Sequence, residues 1–313
     1  MSVLTLGESL GLLVACRLGR LELVPSMDLG FGGAESNVAI GLARLGVEVT
    51  WVGRLGEDAL GRLIERQLRA EGVRPHITRD PTAPTALMLK ERPTAGASTI
   101  SYYRTGSAGS RLAPADLDLD LVRAAHVLHL TGITAALSDT AHHALHTAID
   151  TARQAGTIVS FDVNHRSRLW TTQQAAPAYR ALAQRADLVF AGPDEARLLT
   201  GEREPTAQAR AITAMGPTQV VIKRGEHGAI GFDHDHHVDV PAFPVDTVDT
   251  VGAGDAFVAG YLAELIAGAP LPQRLRTAAA CGAIACTAPG DWEAAPDHAA
   301  ITRLLTAGDP VQR

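Results

Sequence analysis

An α/β fold is predicted, a three-layer α/β/α sandwich around a mainly parallel central sheet, and two observations predict it. Short apolar runs alternate along the chain with longer Ala/Leu/Arg-rich stretches, the pattern of repeated βαβ units with helices on both faces. The segments that carry chemistry, Asp162-Val163-Asn164, Gly192-Pro193-Asp194 and Arg224-Gly225, fall at or just after the ends of those runs. Ligands of parallel sheets bind at the carboxyl ends of the strands, so motif position and fold class agree.

Taken in order, helices are predicted over 35–45, 60–71, 138–154, 175–184 and 195–200, and strands over 47–52, 127–130, 158–162, 188–191 and 219–223. The small-residue stretches 256–267 and 278–285 read as further helices. Glycines between the strand at 219–223 and the apolar run Ala229-Ile230-Gly231-Phe232 suit a hairpin turn. Two regions, at about 10–32 and 75–105, break the alternation. Their prolines, polar/apolar alternation and β-formers such as Thr99-Ile100-Ser101-Tyr102-Tyr103 predict antiparallel strands inserted into the α/β body. The run Asp233-His234-Asp235-His236-His237 lies where a hairpin tip is expected. No acidic motif completes a metal site there, so a solvated turn is expected.

Apolar residues make up 46% of the chain and charged residues 20%, the balance of an ordinary soluble domain. A net charge of −6 argues against a nucleic-acid or anionic-membrane partner. Cys16, Cys281 and Cys286 are odd in number and lack CxxC spacing, which argues against a disulfide framework or a zinc site. No apolar stretch reaches spanning length, and Gly7-Glu8-Ser9 interrupts any signal-like apolar start, so a cytoplasmic enzyme is expected.

The most informative segment is Asp249-Thr250-Val251-Gly252-Ala253-Gly254-Asp255-Ala256-Phe257. Its Gly-Ala-Gly run leaves backbone amides uncovered at the start of a helix, where the partial positive charge favours an anion. Asp255 at the mouth of that site is a poor anion binder. It is well suited to take a proton from a hydroxyl that attacks a phosphoryl group. The string is neither a dinucleotide fingerprint nor a Walker A loop.

This string resembles the C-terminal signature of the ribokinase-like (PfkB) carbohydrate kinases, and the likeness runs from Gly7-Glu8 to Gly290-Asp291-Trp292-Glu293. It implies a single kinase domain over 1–313, with the two β insertions forming a small sheet that acts as a lid and often as a dimer interface. Gly252, Ala253 and Gly254 would form the anion hole and Asp255 the catalytic base. Lys223, Gly225, Gly228, Thr250, Ala279 and Gly282 would border ATP. Glu195 would organise Mg2+ through water, and Asp249 would help hold a monovalent cation such as K+. In relatives, Asn is common where Gly192 and Ala279 stand.

On residues alone, Gly32-Gly33-Ala34-Glu35-Ser36-Asn37 fits a tight turn with helix caps. The resemblance instead assigns Gly32, Gly33 and Asn37 to sugar hydroxyls, and the Gly-Gly-Ala-Glu form is similar to that of 2-keto-3-deoxygluconate kinases. Tyr103, Arg104 and Arg166 match residues that contact the acidic sugar in that branch. Two arginine forks converging on one pocket suit a carboxylate. Leu87-Met88 stands where that branch often has a substrate-contacting Tyr. The expected activity is transfer of the γ-phosphoryl of ATP to 2-keto-3-deoxygluconate. The alternatives are a kinase of a neutral sugar such as fructose, a nucleoside kinase, or a catalytically silent sugar- or nucleotide-binding regulator.

Overall fold

The computed structural model describes residues 1–94, 97–234 and 236–306. Its first half runs β1 (Ser2–Leu6), β2 (Leu10–Ala15), β3 (Met27–Gly32), α1 (Ala34–Arg44), β4 (Glu48–Gly56), α2 (Ala59–Ala70), β5 (Arg74–Asp80), β6 (Leu87–Thr94), β7 (Ala97–Tyr103), α3 (Leu119–Ala124) and β8 (Val127–Thr131). Next come α4 (Gly132–Ala135), α5 (Asp139–Ala155), β9 (Ile158–Asp162), α6 (Thr172–Ala183), β10 (Leu188–Ala191), α7 (Pro193–Thr200) and α8 (Pro205–Thr213). The chain continues through β11 (Gln219–Lys223), β12 (Ala229–Asp233), β13 (His236–Val240), α9 (Ala253–Ile266), α10 (Leu271–Ala285) and α11 (His298–Thr306).

A nine-stranded sheet has the order β13-β12-β11-β10-β9-β8-β1-β4-β5, parallel from β11 to β5 and antiparallel through β12 and β13. Alternate residues on each strand enter opposite cores, as the two-residue period of a strand requires. On β10, Val189 and Ala191 join α5 to α8 on one face, while Leu188 and Phe190 meet α1, α9 and α10 on the other. Each such side chain, fully buried, contributes about 1.5–3 kcal/mol of transfer free energy. Two cores of this kind hold the carboxyl ends of β9, β10 and β11 in fixed positions. The helices end where local chemistry says they should. Ser138 caps α5 by accepting from the Ala141 amide at 3.1 Å, and Gly156 closes that helix in the left-handed conformation.

A second sheet of four strands, β3-β2-β6-β7, carries the polar/apolar insertions. One boundary differs from expectation: residues 74–80 belong to the large sheet as β5, paired with β4, and the second insertion into the small sheet begins at Leu87. β5 is the outermost strand, where Pro75 can lack an amide without breaking an interior ladder. The interior strand β1 lies outside the predicted set, because so short an apolar run at the start of the chain gives little period to read. The predicted helix at 278–285 is the second half of α10. In the histidine run, Asp235 lies outside the described residues. His234 is in the turn and exposed, while the His237 ring stacks on Phe232 at 5.3 Å. Among the described residues there is no cluster able to hold a metal ion and no helix long and apolar enough to cross a membrane.

Candidate active site

A cavity of about 960 Å³ lies between the carboxyl edge of the large sheet and the small sheet. Its floor begins at Gly252, which caps α9 with φ 75°. A Cβ there would stand 1.7 Å from the carbonyl oxygen of Asp291, so both conformation and space require glycine. Gly252, Gly254 and Asp255 line the cavity at the positive end of this helix. The Lys223 ammonium, at the end of β11, sits 3.7 Å from where a side chain on Gly254 would begin. It donates to Asp162 Oδ2 at 2.6 Å, at the end of β9. Burial alone would lower the Lys223 pKa, but the charges of Asp162 and Glu195 outweigh it and hold the ammonium protonated.

Asp255 is 8% exposed. Its Oδ2 accepts from Asn37 Nδ2 at 2.8 Å, a bond that joins α9 to the first turn of α1. Burial pushes its pKa up to about 6, against the opposing pull of the Asn37 hydrogen bond and the Arg166 charge. A carboxylate so raised is ionised at neutral pH yet basic enough to take a hydroxyl proton. Glu35, two residues before Asn37, is wholly buried and accepts from Thr131 and Thr134 at 2.6 and 2.7 Å. Desolvation raises its pKa to about 7. It ties the start of α1 to β8 and α4, which holds Gly33 and Asn37 in place.

On the sugar side, Gly33, Asn37, Arg104 and Arg166 line the cavity as expected. Gly32 does not, because the Asp291 carboxylate covers it, 2.2 Å from where a Cβ would lie. Tyr103 does not either: it is 64% exposed on the outer face of β7, and Tyr102 faces the cavity instead. Successive strand residues point to opposite faces, so only one of the pair could face inward, and Tyr102 packs with Leu10 and Met88. Arg104 already has a partner. Its guanidinium donates to Glu8 Oε2, through Nε at 2.9 Å, and lies 5.1 Å over the Tyr102 ring. Arg166, by contrast, makes no ion pair or hydrogen bond through its side chain among the described residues.

On the nucleotide side, Lys223 and Thr250 line the cavity. Gly225 and Gly228 sit beyond it in the turn to β12. Ala279 is buried in the core, and α10 packs at Gly282 against the Ala253 carbonyl, which turns Ala253 away from the cavity. Both oxygens of Glu195 accept backbone amides, from His165 at 2.8 Å and Gly192 at 2.6 Å. Each oxygen keeps a second lone pair, so contact with Mg2+ through a metal-bound water fits beside these bonds. Asp249 accepts a hydrogen bond from the Lys90 ammonium. The ammonium already supplies one positive charge there. A monovalent cation about 4 Å from it would meet a repulsion of about 4 kcal/mol at an effective dielectric of 20, which offsets its attraction to the carboxylate.

Four site residues carried no assigned role in the sequence: Glu8, Lys90, Asp162 and Asp291. Asp162 had a readable signal, a carboxylate at the end of a predicted strand. Asp291 lines the cavity, and burial raises its pKa to about 7 with Lys90 opposing.

The pfkB family carbohydrate kinase model matches residues 2–298. A 2-dehydro-3-deoxygluconokinase of Bacillus subtilis (strain 168) is 36% identical, over 98% of this chain and 96% of that protein. A 2-dehydro-3-deoxygalactonokinase of Haloferax volcanii is 34% identical, over 98% of this chain and 97% of that protein. Among solved structures, a PfkB protein from Polaromonas sp. JS666 superposes with TM-score 0.88 at 38% identity, over 96% of this chain and 99% of that one. Fructokinase with bound ATP from Xylella fastidiosa superposes with TM-score 0.87 at 26% identity, over 98% of each chain. The α/β body of ribokinase-like form is thus shared with carbohydrate kinases. The chain belongs to the pfkB family of carbohydrate kinases.

Proposed function

We propose that this chain is a cytoplasmic kinase that transfers the γ-phosphoryl of ATP to a hydroxyl of 2-keto-3-deoxygluconate. The observation that carries the reading is Asp255, buried in the cavity wall, held by Asn37 and set beside the α9 terminus and Lys223. The sugar acid lies between floor and lid with its carboxylate on Arg166, whose charge has no partner among the described residues. Asn37 and Gly33 hold hydroxyls. Asp255 takes the proton of the attacking hydroxyl as the phosphoryl moves in line. The Gly252 and Gly254 amides and the Lys223 ammonium stabilise charge on the transferring group. Mg2+, when bound with ATP and steadied by Glu195 through water, supplies further neutralisation of the phosphates. The similarity to a 2-dehydro-3-deoxygluconokinase and a 2-dehydro-3-deoxygalactonokinase, both named for 2-keto-3-deoxy sugar acids, supports the choice of acceptor.

A second reading, a kinase of a neutral sugar such as fructose, draws support from the Glu8–Arg104 pair, which leaves one arginine instead of two free for a carboxylate. A coupled ADP-release assay with ATP and Mg2+ separates them. Selective turnover of 2-keto-3-deoxygluconate supports the first reading. Preference for fructose discards it and keeps the base. No turnover of any sugar rejects the kinase assignment. We further propose a homodimer through the lid, whose segments expose Leu18, Leu23, Leu29 and Tyr103. Light scattering that gives a monomer mass would reject that arrangement.

A further inference from the structure

We propose that Lys90 is a built-in substitute for a monovalent cation: its ammonium, carried by lid strand β6, supplies the positive charge at Asp249 that holds the anion-binding loop in order. The inference rests on the kinase reading above. The chain holds 28 Lys and Arg residues, and only two of them are lysines, Lys90 and Lys223. Everywhere else arginine serves. Lys90 is buried and Lys223 half-buried, both pair with an aspartate, and both lie at the loop that opens α9. A planar guanidinium suits surface pairs and carboxylate forks, whereas a lysine ammonium is a compact point charge. That makes it the nearest chemical match to an alkali cation among the side chains.

The geometry around Asp249 gives the charge something to do. Lys90 is 4% exposed and reaches Asp249 Oδ2 from the small sheet. Asp249 Oδ1 accepts from the Val251 amide at 3.2 Å, one residue before Gly252. The amides of Val248 and Asp249 both donate to the Cys286 carbonyl at the end of α10, at 2.8 and 3.3 Å. Asp249 therefore joins the lid, the loop and α10, and a single ammonium balances it. The same charge faces Asp291, whose backbone carbonyl lies against Gly252. A buried ion pair elsewhere would be weak evidence of function. Here its removal leaves an unpaired carboxylate three residues before the amides that receive the phosphoryl group.

The test compares K+, Na+ and tetramethylammonium chlorides, with both turnover and thermal melting as readouts. Wild-type turnover is expected to agree within about twofold across the three salts at fixed ionic strength. Its melting temperature should not distinguish K+ from tetramethylammonium. Lys90→Met should lose about tenfold in kcat in tetramethylammonium and recover with K+ or methylammonium, and K+ should raise its melting temperature. A severalfold K+ activation of the wild type, or its selective stabilisation by K+, overturns the proposal. So does a Lys90→Met variant that is as active as wild type in every salt. The wild-type measurements stand even where Lys90→Met does not fold. A wild type that turns over no sugar in any salt rejects the kinase reading, and the melting comparison then judges Lys90 by itself.

Discussion

The floor of the cavity carries Asp255 and Lys223, the latter paired with Asp162, on segments leaving the carboxyl ends of packed strands or opening a core helix, whereas its roof carries Tyr102 and Arg104 on a small sheet with one face open to solvent. On the floor, each charge has its partner at 2.6–2.8 Å, and Asp162 and Asp255 are almost fully buried. Removing one partner of the Lys223–Asp162 pair leaves an unpaired charge in low dielectric, so that pair is intolerant of change. On the roof, Tyr102 is half-buried, Arg104 is held by Glu8, and which residue faces inward depends on strand register. The division teaches where to look: chemistry resides in the floor, acceptor choice in the roof and in the exposed Arg166 at its rim.

The largest effect should come from Asp255→Asn. Loss of the base is expected to lower kcat by about a thousandfold with little change in binding, measured by ADP release. Stability should move the other way. A buried carboxylate with its pKa raised from 3.8 to about 6 binds its proton more readily in the folded state. Stability therefore falls as pH rises between those values and stays lower above them. The variant should gain up to about 3 kcal/mol over wild type at pH 8 in urea unfolding, and nothing below pH 3.8. Equal stability at pH 8 would contradict the buried-base picture.

Lys223→Met comes next. It leaves Asp162 buried without its ammonium, at a cost of about 3–5 kcal/mol, and strips charge from the phosphoryl site. Adding Asp162→Asn should return most of the stability and none of the turnover. Recovery of both would make Lys223 merely structural. At the rim, Arg166→Ala should raise KM for the sugar acid by about tenfold to a hundredfold and leave any fructose turnover alone. On the roof the effects shrink: Tyr102→Ala should raise KM by about fivefold, while Tyr103→Ala leaves kinetics unchanged. The opposite order would mean that the lid register shifts when substrate binds.

What could be read from the sequence follows the same division. The parallel sheet, the α9 loop and Asp255 were legible because small residues, a helix start and a carboxylate coincide in one short segment. The roof was legible only as β structure. Strand alternation does not say which of Tyr102 and Tyr103 faces the cavity, and the placement of β5 in the large sheet depends on its parallel pairing with β4 across α2. For Gly282 and Ala279 the resemblance implies nucleotide contacts, while small residues also mark close helix packing, and both residues pack in this way. Long-range pairs such as Glu8 with Arg104 and Lys90 with Asp249 left no local trace, since each joins segments brought together only by the fold.

The most direct test of the central claim is the pH dependence of kcat/KM for 2-keto-3-deoxygluconate. Since the base must be ionised to accept a proton, the rate should rise about tenfold per pH unit on the acid side and level off above a pKa near 6. Replacing Asn37 with Ala removes a hydrogen bond that favours the ionised form, so the limb should move to higher pH in that variant. A profile flat down to pH 5, or a limb unmoved by Asn37→Ala, would contradict the assignment of Asp255 as the base.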